Sequence, residues 1–216
     1  MNYLFIDTET ANTLDDPFVY DVGLSVIDEN ENILAERSFV IADIFLDESL
    51  METAFFKEKI PTYWEEIKAG KRELRRFSTV KKVIAELCKT YSIEYTVAHN
   101  ALFDNRSLNT TQRLLTSSKY RYFLPYGVEW LDTLKMARQV FKTDDEYGKF
   151  CFENEYMTSK NGRRYTAEIL WRYLSDNNDF AEAHTGLEDV HIEQKIFFEC
   201  LRRNPEVNCR LWAHNE

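Results

Sequence analysis

Tyr3-Leu4-Phe5-Ile6-Asp7-Thr8-Glu9-Thr10 is the stretch that decides the fold. Its apolar and aromatic residues make a buried-type strand, and two carboxylates follow at alternate positions. Residues two apart in a strand point to the same face, so Asp7 and Glu9 project together from the strand's carboxyl end. Two like charges held side by side destabilise the chain unless a cation sits between them, and hard carboxylate oxygens suit Mg²⁺ or Mn²⁺. Alone, the pair equally describes a solvated strand end, so the rest of the chain must decide.

Outward from this stretch, a polar loop runs through Asp16 and Pro17. Residues 19–27 alternate as a second strand, 28–32 make a polar turn, and 33–41 form a third strand. Three consecutive strands predict an antiparallel meander at the start of a mixed sheet. Residues 43–76 read as mostly helix, with Pro61 interrupting it or opening a second helix. The aromatic stripe there reads as core. Lys68, Lys71, Arg72, Arg75 and Arg76 form a basic cluster, either a phosphate contact or a solvated helix face. Ser78 is placed to cap the next helix, whose apolar stripe is Val80, Val83, Ile84 and Leu87.

Residues 93–99 form another strand that enters a turn at Phe103 and Asp104, followed by a helix over 105–115. A carboxylate at a strand-to-helix junction is where open sheets bind ligands. A strand over 123–131 ends at Asp132, and a helix follows over 134–141. Residues 144–164 read as a small hairpin or loop excursion around the turn Lys160-Asn161-Gly162-Arg163, with a helix after it over 165–173. Near the end, Thr185 and Glu188 have capping-box spacing. His184 then lies just before that helix and Asp189 in its second turn, so both can approach one point. Were both in regular helix, they would diverge by about 140°. Pro205 marks the helix end.

Composition bounds the classes. The 216 residues are 44% hydrophobic, which supports one core, read as a domain over 1–203 with a tail over 204–216. The net charge of -10 argues against the broad phosphate footprint of a basic DNA-coating protein. It leaves room for gripping a short strand end where metal ions supply positive charge. Cys88, Cys151, Cys200 and Cys209 include no C-x-x-C pair, so reduced, packed thiols are expected and a zinc site is unsupported. The first residues enter a strand directly and no 18-residue apolar run occurs, which predicts a cytoplasmic chain with no membrane partner.

Together these pieces resemble the DnaQ-like 3'-5' exonuclease family in its DEDDh branch. The carriers are Phe5-Ile6-Asp7-Thr8-Glu9-Thr10, Val97-Ala98-His99-Asn100-Ala101-Leu102-Phe103-Asp104, and the run from His184 to Asp189. The stretch Asp132-Thr133-Leu134-Lys135-Met136-Ala137-Arg138 is similar to a further family segment. The resemblance spans residues 3–198 and implies an α/β, RNase H-like fold: a mixed central sheet opening with a three-stranded meander, flanked by helices. It also implies hydrolysis of nucleic acid from a 3' end; the expected products are nucleoside 5'-monophosphates, with DNA ahead of RNA, and the acidic charge favours single-stranded or frayed ends over long duplex.

By the same resemblance, Asp7, Glu9, Asp104 and Asp189 hold two Mg²⁺ or Mn²⁺ ions, and His184 deprotonates the attacking water. Thr8, Thr10, Asn100 and Phe103 belong to the substrate side. The residues themselves leave Asn100 open between substrate contact and turn cap, and Phe103 between base stacking and core packing. His99 and His191 read as structural or surface residues, and Asp132 as support from outside the metal ligands. Two alternatives stand beside this reading: an RNA-trimming or oligoribonucleotide-degrading enzyme, and an inactive accessory to a polymerase or replication complex. One departure is visible. Where many relatives carry a histidine-glycine-isoleucine-threonine-like stretch, this chain has Met51-Glu52-Thr53-Ala54-Phe55-Phe56 and Tyr63-Trp64.

Overall fold

The computed structural model describes residues 1–117, 119 and 121–212; the end of the expected tail, 213–216, lies outside the described residues. The first strand, β1 (Asn2–Asn12), is longer than its apolar start, because it pairs along its whole length with β2 (Pro17–Asp28). The expected loop after Glu9 therefore shrinks to a tight connection after Asn12, and a register shift falls between Glu9 and Thr10. β3 (Ile33–Ile41) completes the antiparallel meander.

The segment expected to be mostly helix breaks into short pieces. They are α1 (Ala42–Phe45), α2 (Glu48–Met51), a 3₁₀ turn (Lys57–Lys59) and α3 (Ile60–Lys68), with Pro61 in the first turn of α3. Pro lacks an N–H and is accommodated there at no cost in hydrogen bonding. β4 (Glu73–Arg75) then adds parallel to β3, so the basic cluster shares no single helix face. Arg72 corrects both expected readings: its side chain is buried, bonded to Asp21, Ser38, Glu66 and Glu188, while Lys68, Lys71, Arg75 and Arg76 are exposed.

Next come α4 (Phe77–Thr90), β5 (Tyr95–Ala98), α5 (Ala101–Leu115), β6 (Glu129–Asp132) and α6 (Thr133–Val140). The expected Ser78 cap is absent: Ser78 lies inside α4, whose first residue, Phe77, gives its N–H to Asp43 instead. The strand expected over 123–131 forms only at its end, after Pro125 and the positive-φ Gly127. The excursion contains α7 (Asp145–Glu153), which the sequence reading missed. Asp144 caps it, and the hairpin is reduced to one bridge between Met157 and Arg163. α8 (Ala167–Ser175) and α9 (Gly186–Arg203) follow.

The sheet order is β4-β3-β2-β1-β5-β6, with β4, β5 and β6 parallel to their inner neighbours. This is an α/β fold with a mixed central sheet covered on both faces. Leu4, Ile6, Val22 and Leu24 pack with α4 and α5 on one face. Phe5 and Val97 pack with α6, α8 and α9 on the other. After the last helix, the Cys209 carbonyl accepts from Asp132 and the Leu211 N–H donates to Trp130, so residues 209–211 lie against the sheet edge. All four cysteines are free thiols, and Cys88, Cys151 and Cys200 are buried. Among the described residues no helix is long and apolar enough to cross a membrane.

Candidate active site

β1 and β5 run parallel with Phe5 beside Val97, so the residues just beyond the pair, Asp7 on one side and His99-Asn100 on the other, meet at one end of the sheet. The starts of α5 and α9 close over that end. The result is a cleft of ≈ 550 Å³ whose wall includes Asp7, Thr8, Glu9, Asn100, Phe103, Asp104, His184 and Asp189. Thr10 does not line it; it is buried, and its carbonyl accepts the Phe55 N–H.

Each side chain is held by identifiable local physics. Asp7 follows Phe5 on the α9 face. Thr8 points to the other face, where its hydroxyl donates to Asp104 Oδ1 at 2.8 Å. Asp104 comes from the first turn of α5, whose preceding Asn100 is left-handed at φ 65°. The Asn100 side chain makes no cap. Its backbone N–H instead donates to Asp132, whose carboxylate also accepts from Leu134 and caps α6. Asp132 thus supports the turn from behind.

α9 reaches the sheet because two glycines meet. A Cβ on Gly23 of β2 would overlap the backbone of Gly186 and Leu187, and one on Gly186 would overlap Gly23. Gly186 N–H donates to the buried Asp21 carboxylate at 3.0 Å, and Arg72 and Tyr63 bind that same carboxylate. Thr185 is the residue before α9, as the capping-box spacing predicts, but the box closes differently. Its N–H donates to Asp189 Oδ2 at 2.9 Å, and its hydroxyl bonds Glu188, which Arg72 also holds. Asp189 consequently sits in the first turn of α9 rather than the second.

His184 has a left-handed backbone, φ 48°, and stacks its imidazole on Phe56 with centroids 4.2 Å apart and planes 8° from parallel. Phe56 belongs to the stretch Met51-Glu52-Thr53-Ala54-Phe55-Phe56, where the sequence departs from the pattern of the family it resembles. Ligand-type atoms of Glu9, His184 and Asp189 all lie within 4.8 Å of one another, as do those of Glu168, Glu182 and His184. Asp7 and Asp104 line the same cleft without joining either close group.

The electrostatics are those of crowded acids. Burial, then Glu193, Asp104, Glu9 and Asp189, holds Asp7 well above the usual carboxylate range. Burial and the nearby Asp21 and Asp189 charges push Glu9 up to about 9, with Lys59 pulling it down. Burial raises Asp104 and Asp189 to about 7 each. Burial, helped by Lys59, lowers His184 below its ordinary value. His99 lines the cleft as well; it is bound to Thr133 and to the Tyr165 carbonyl, and burial depresses it to about 4. His191 lies on the surface beside Glu36.

The sequence reading missed Glu182, Glu193, Arg163 and Arg164 on the cleft wall, and Lys59 beside it. Two signals were available. Glu193 is four residues after Asp189 and so shares its helix face. Gly23 interrupts a strand, a mark of close backbone approach.

The donor set is carboxylate with one imidazole, which suits a hard divalent cation. Asp189 Oδ1 and Glu193 Oε2 are buried without a hydrogen-bond partner among the described residues, the condition a cation would relieve.

No protein-family model and no curated protein sequence matches this chain. Solved structures do. The chain is similar to Exonuclease X in complex with 5' overhanging duplex DNA, at 16% identity and TM-score 0.52, over 94% of this chain and 93% of that one. It is similar to E. coli Exonuclease I in complex with a dA16 oligonucleotide, at 15% identity and TM-score 0.57, over 95% of this chain but 42% of that one. It is similar to cell-death related nuclease 4 (CRN-4) at 14% identity and TM-score 0.56, over 94% and 64% respectively. These likenesses establish the fold: the chain shares the RNase H-like α/β architecture of these three structures.

Proposed function

We propose that the cleft is the active site of a divalent-metal-dependent 3'-5' exonuclease that releases nucleoside 5'-monophosphates. The observation that carries this is the gathering of Asp7, Glu9, Asp104, Asp189 and His184, from three separate segments, into one cleft. Buried carboxylates that repel one another are costly, and a metal-binding role is what offsets the cost.

Asp7, Glu9, Asp104 and Asp189 are the residues to hold two Mg²⁺ or Mn²⁺ ions. When bound, such ions activate water, orient it and neutralise the leaving oxygen of a phosphodiester. The chain's own part is to fix these ligands. Thr8 orients Asp104, and the Thr185 N–H orients Asp189. His184, stacked on Phe56 and kept neutral by its lowered pKa, accepts the proton of the attacking water. Asn100 and Phe103 contact the strand end, where aromatic stacking tolerates any base. Thr10, away from the cleft wall, has no part in this reading.

DNA is the favoured polymer, since Exonuclease X and Exonuclease I of the same fold were solved with DNA. The test is a panel of end-labelled single-stranded DNA, duplex with an overhang, and RNA, each with Mg²⁺ and with Mn²⁺. Release of mononucleotides from DNA is expected. No cleavage of any substrate with either ion overturns the proposal, and a strong preference for RNA moves the substrate.

A further inference from the structure

Glu193 is unexplained by the five residues above. It lies on α9, one turn after Asp189, and its side chain lines the cleft. It is 3% exposed, forms no ion pair among the described residues, and leaves Oε2 buried with no hydrogen-bond partner there. The charged groups acting on it come from three packed elements and the loop before α9, and they are acidic: Asp104 of α5, Asp7 of β1, Asp189 of its own helix, and Glu182. A carboxylate kept for structure is ordinarily met by a donor or a cation. This one accepts the His99 backbone N–H, yet leaves Oε2 unpaired among the described residues and faces other carboxylates across a cleft.

We infer that Glu193 is a fifth carboxylate of the metal centre, a ligand of one of its divalent ions. The inference rests on the proposed metal-dependent reading of the same cleft, whose wall Glu193 shares with Asp7, Glu9, Asp104 and Asp189. Helical spacing explains how one helix supplies two of these carboxylates. Asp189 and Glu193, four apart, present their carboxylates on one face at successive levels.

The test is calorimetric titration of the full chain with Mn²⁺ alone. The wild type is expected to bind two ions. Glu193→Gln, which keeps shape and removes charge, is expected to lose one of them or bind it at least about tenfold more weakly. In EDTA the variant should melt higher than the wild type, because a repelling charge is gone, yet gain less from Mn²⁺. A merely structural role moves neither quantity in that direction.

If the variant binds both ions with wild-type affinity, Glu193 is not a ligand, although the metal-dependent reading survives. If the wild type itself binds no Mn²⁺, that reading fails and takes this inference with it. Should Glu193→Gln not fold, Glu193→Asp decides by the same titration. Withdrawing the carboxylate by one methylene should weaken one ion about tenfold, and unchanged binding of both ions overturns the assignment.

Discussion

Asp7 and Glu9 are two residues apart, and the protein half-buries Asp7 and buries Glu9 beside the buried Asp104 and Asp189. The consequence is a pH-dependent stability whose sign follows from linkage. All four have folded-state pKa values above their unfolded ones, so the folded chain binds more protons. The stability they contribute is complete below the ordinary carboxylate range. It is lost as pH rises through about 7 for Asp104 and Asp189, and about 9 for Glu9. Thermal unfolding in EDTA should therefore show Tm falling from about pH 5 to about pH 9. Saturating Mn²⁺ should reverse the fall, by about 2.7 kcal/mol at a hundredfold excess over Kd. A Tm in EDTA that rises over this window contradicts the raised pKa values. His184 belongs to the same scale. His184→Ala should lose about 10²–10⁴-fold in single-turnover rate, the range of a general base, with Mn²⁺ affinity little changed. An equal loss of Mn²⁺ binding would instead make the imidazole a ligand, which its position within 4.8 Å of Glu9 and Asp189 makes a meaningful check.

At the scale of elements, α9 must lie close enough to the sheet for Asp189 and His184 to meet residues of β1, and the Gly23–Gly186 contact sets that approach. Gly23→Ala has to push α9 outward. A displacement near 1 Å at reacting groups costs about 10²-fold in rate, so turnover should fall by that order even if the variant folds. Wild-type turnover in Gly23→Ala would show that the contact does not position the site. Behind it, the buried Asp21–Arg72 pair ties β2 to Gly186 and Glu188. Removing one partner of a buried pair costs about 3–5 kcal/mol, so Arg72→Ala should lower unfolding stability by that amount in a denaturant titration.

These elements also mark what was legible in the sequence. The meander, β5 and the end of β6 could be read, because their apolar runs end in turn residues, and the three acidic junctions fell at strand and helix ends, whereas β4 was read as helix. Residues 43–76 misled, because helices of four residues carry too little periodicity to separate from one long one. Arg72 looked solvated because its partners, Asp21 and Glu188, are distant in sequence. α7 was hidden by aromatics at positions that also suit a hairpin. The stacking of Phe56 on His184 and the inward turn of Glu193 depend on tertiary packing, which local pattern does not encode.

For the molecule as a whole, a net charge of -10 means that affinity for nucleic acid cannot come from a broad basic face. On the proposed function, attraction is concentrated where cations and the cleft meet, at a strand terminus. Arg163 and Arg164, contributed by the excursion, add positive charge to that cleft wall. The most direct measurement compares 3'-end-labelled linear single-stranded DNA with a covalently closed circle of the same sequence, at saturating Mn²⁺. The wild type should release labelled mononucleotide from the linear strand and leave the circle intact, while an Asp7→Asn/Asp189→Asn double variant should do neither. Cutting of the circle at a rate comparable to the linear strand, or full activity in the double variant, would contradict a metal-dependent 3'-5' exonuclease acting through this cleft.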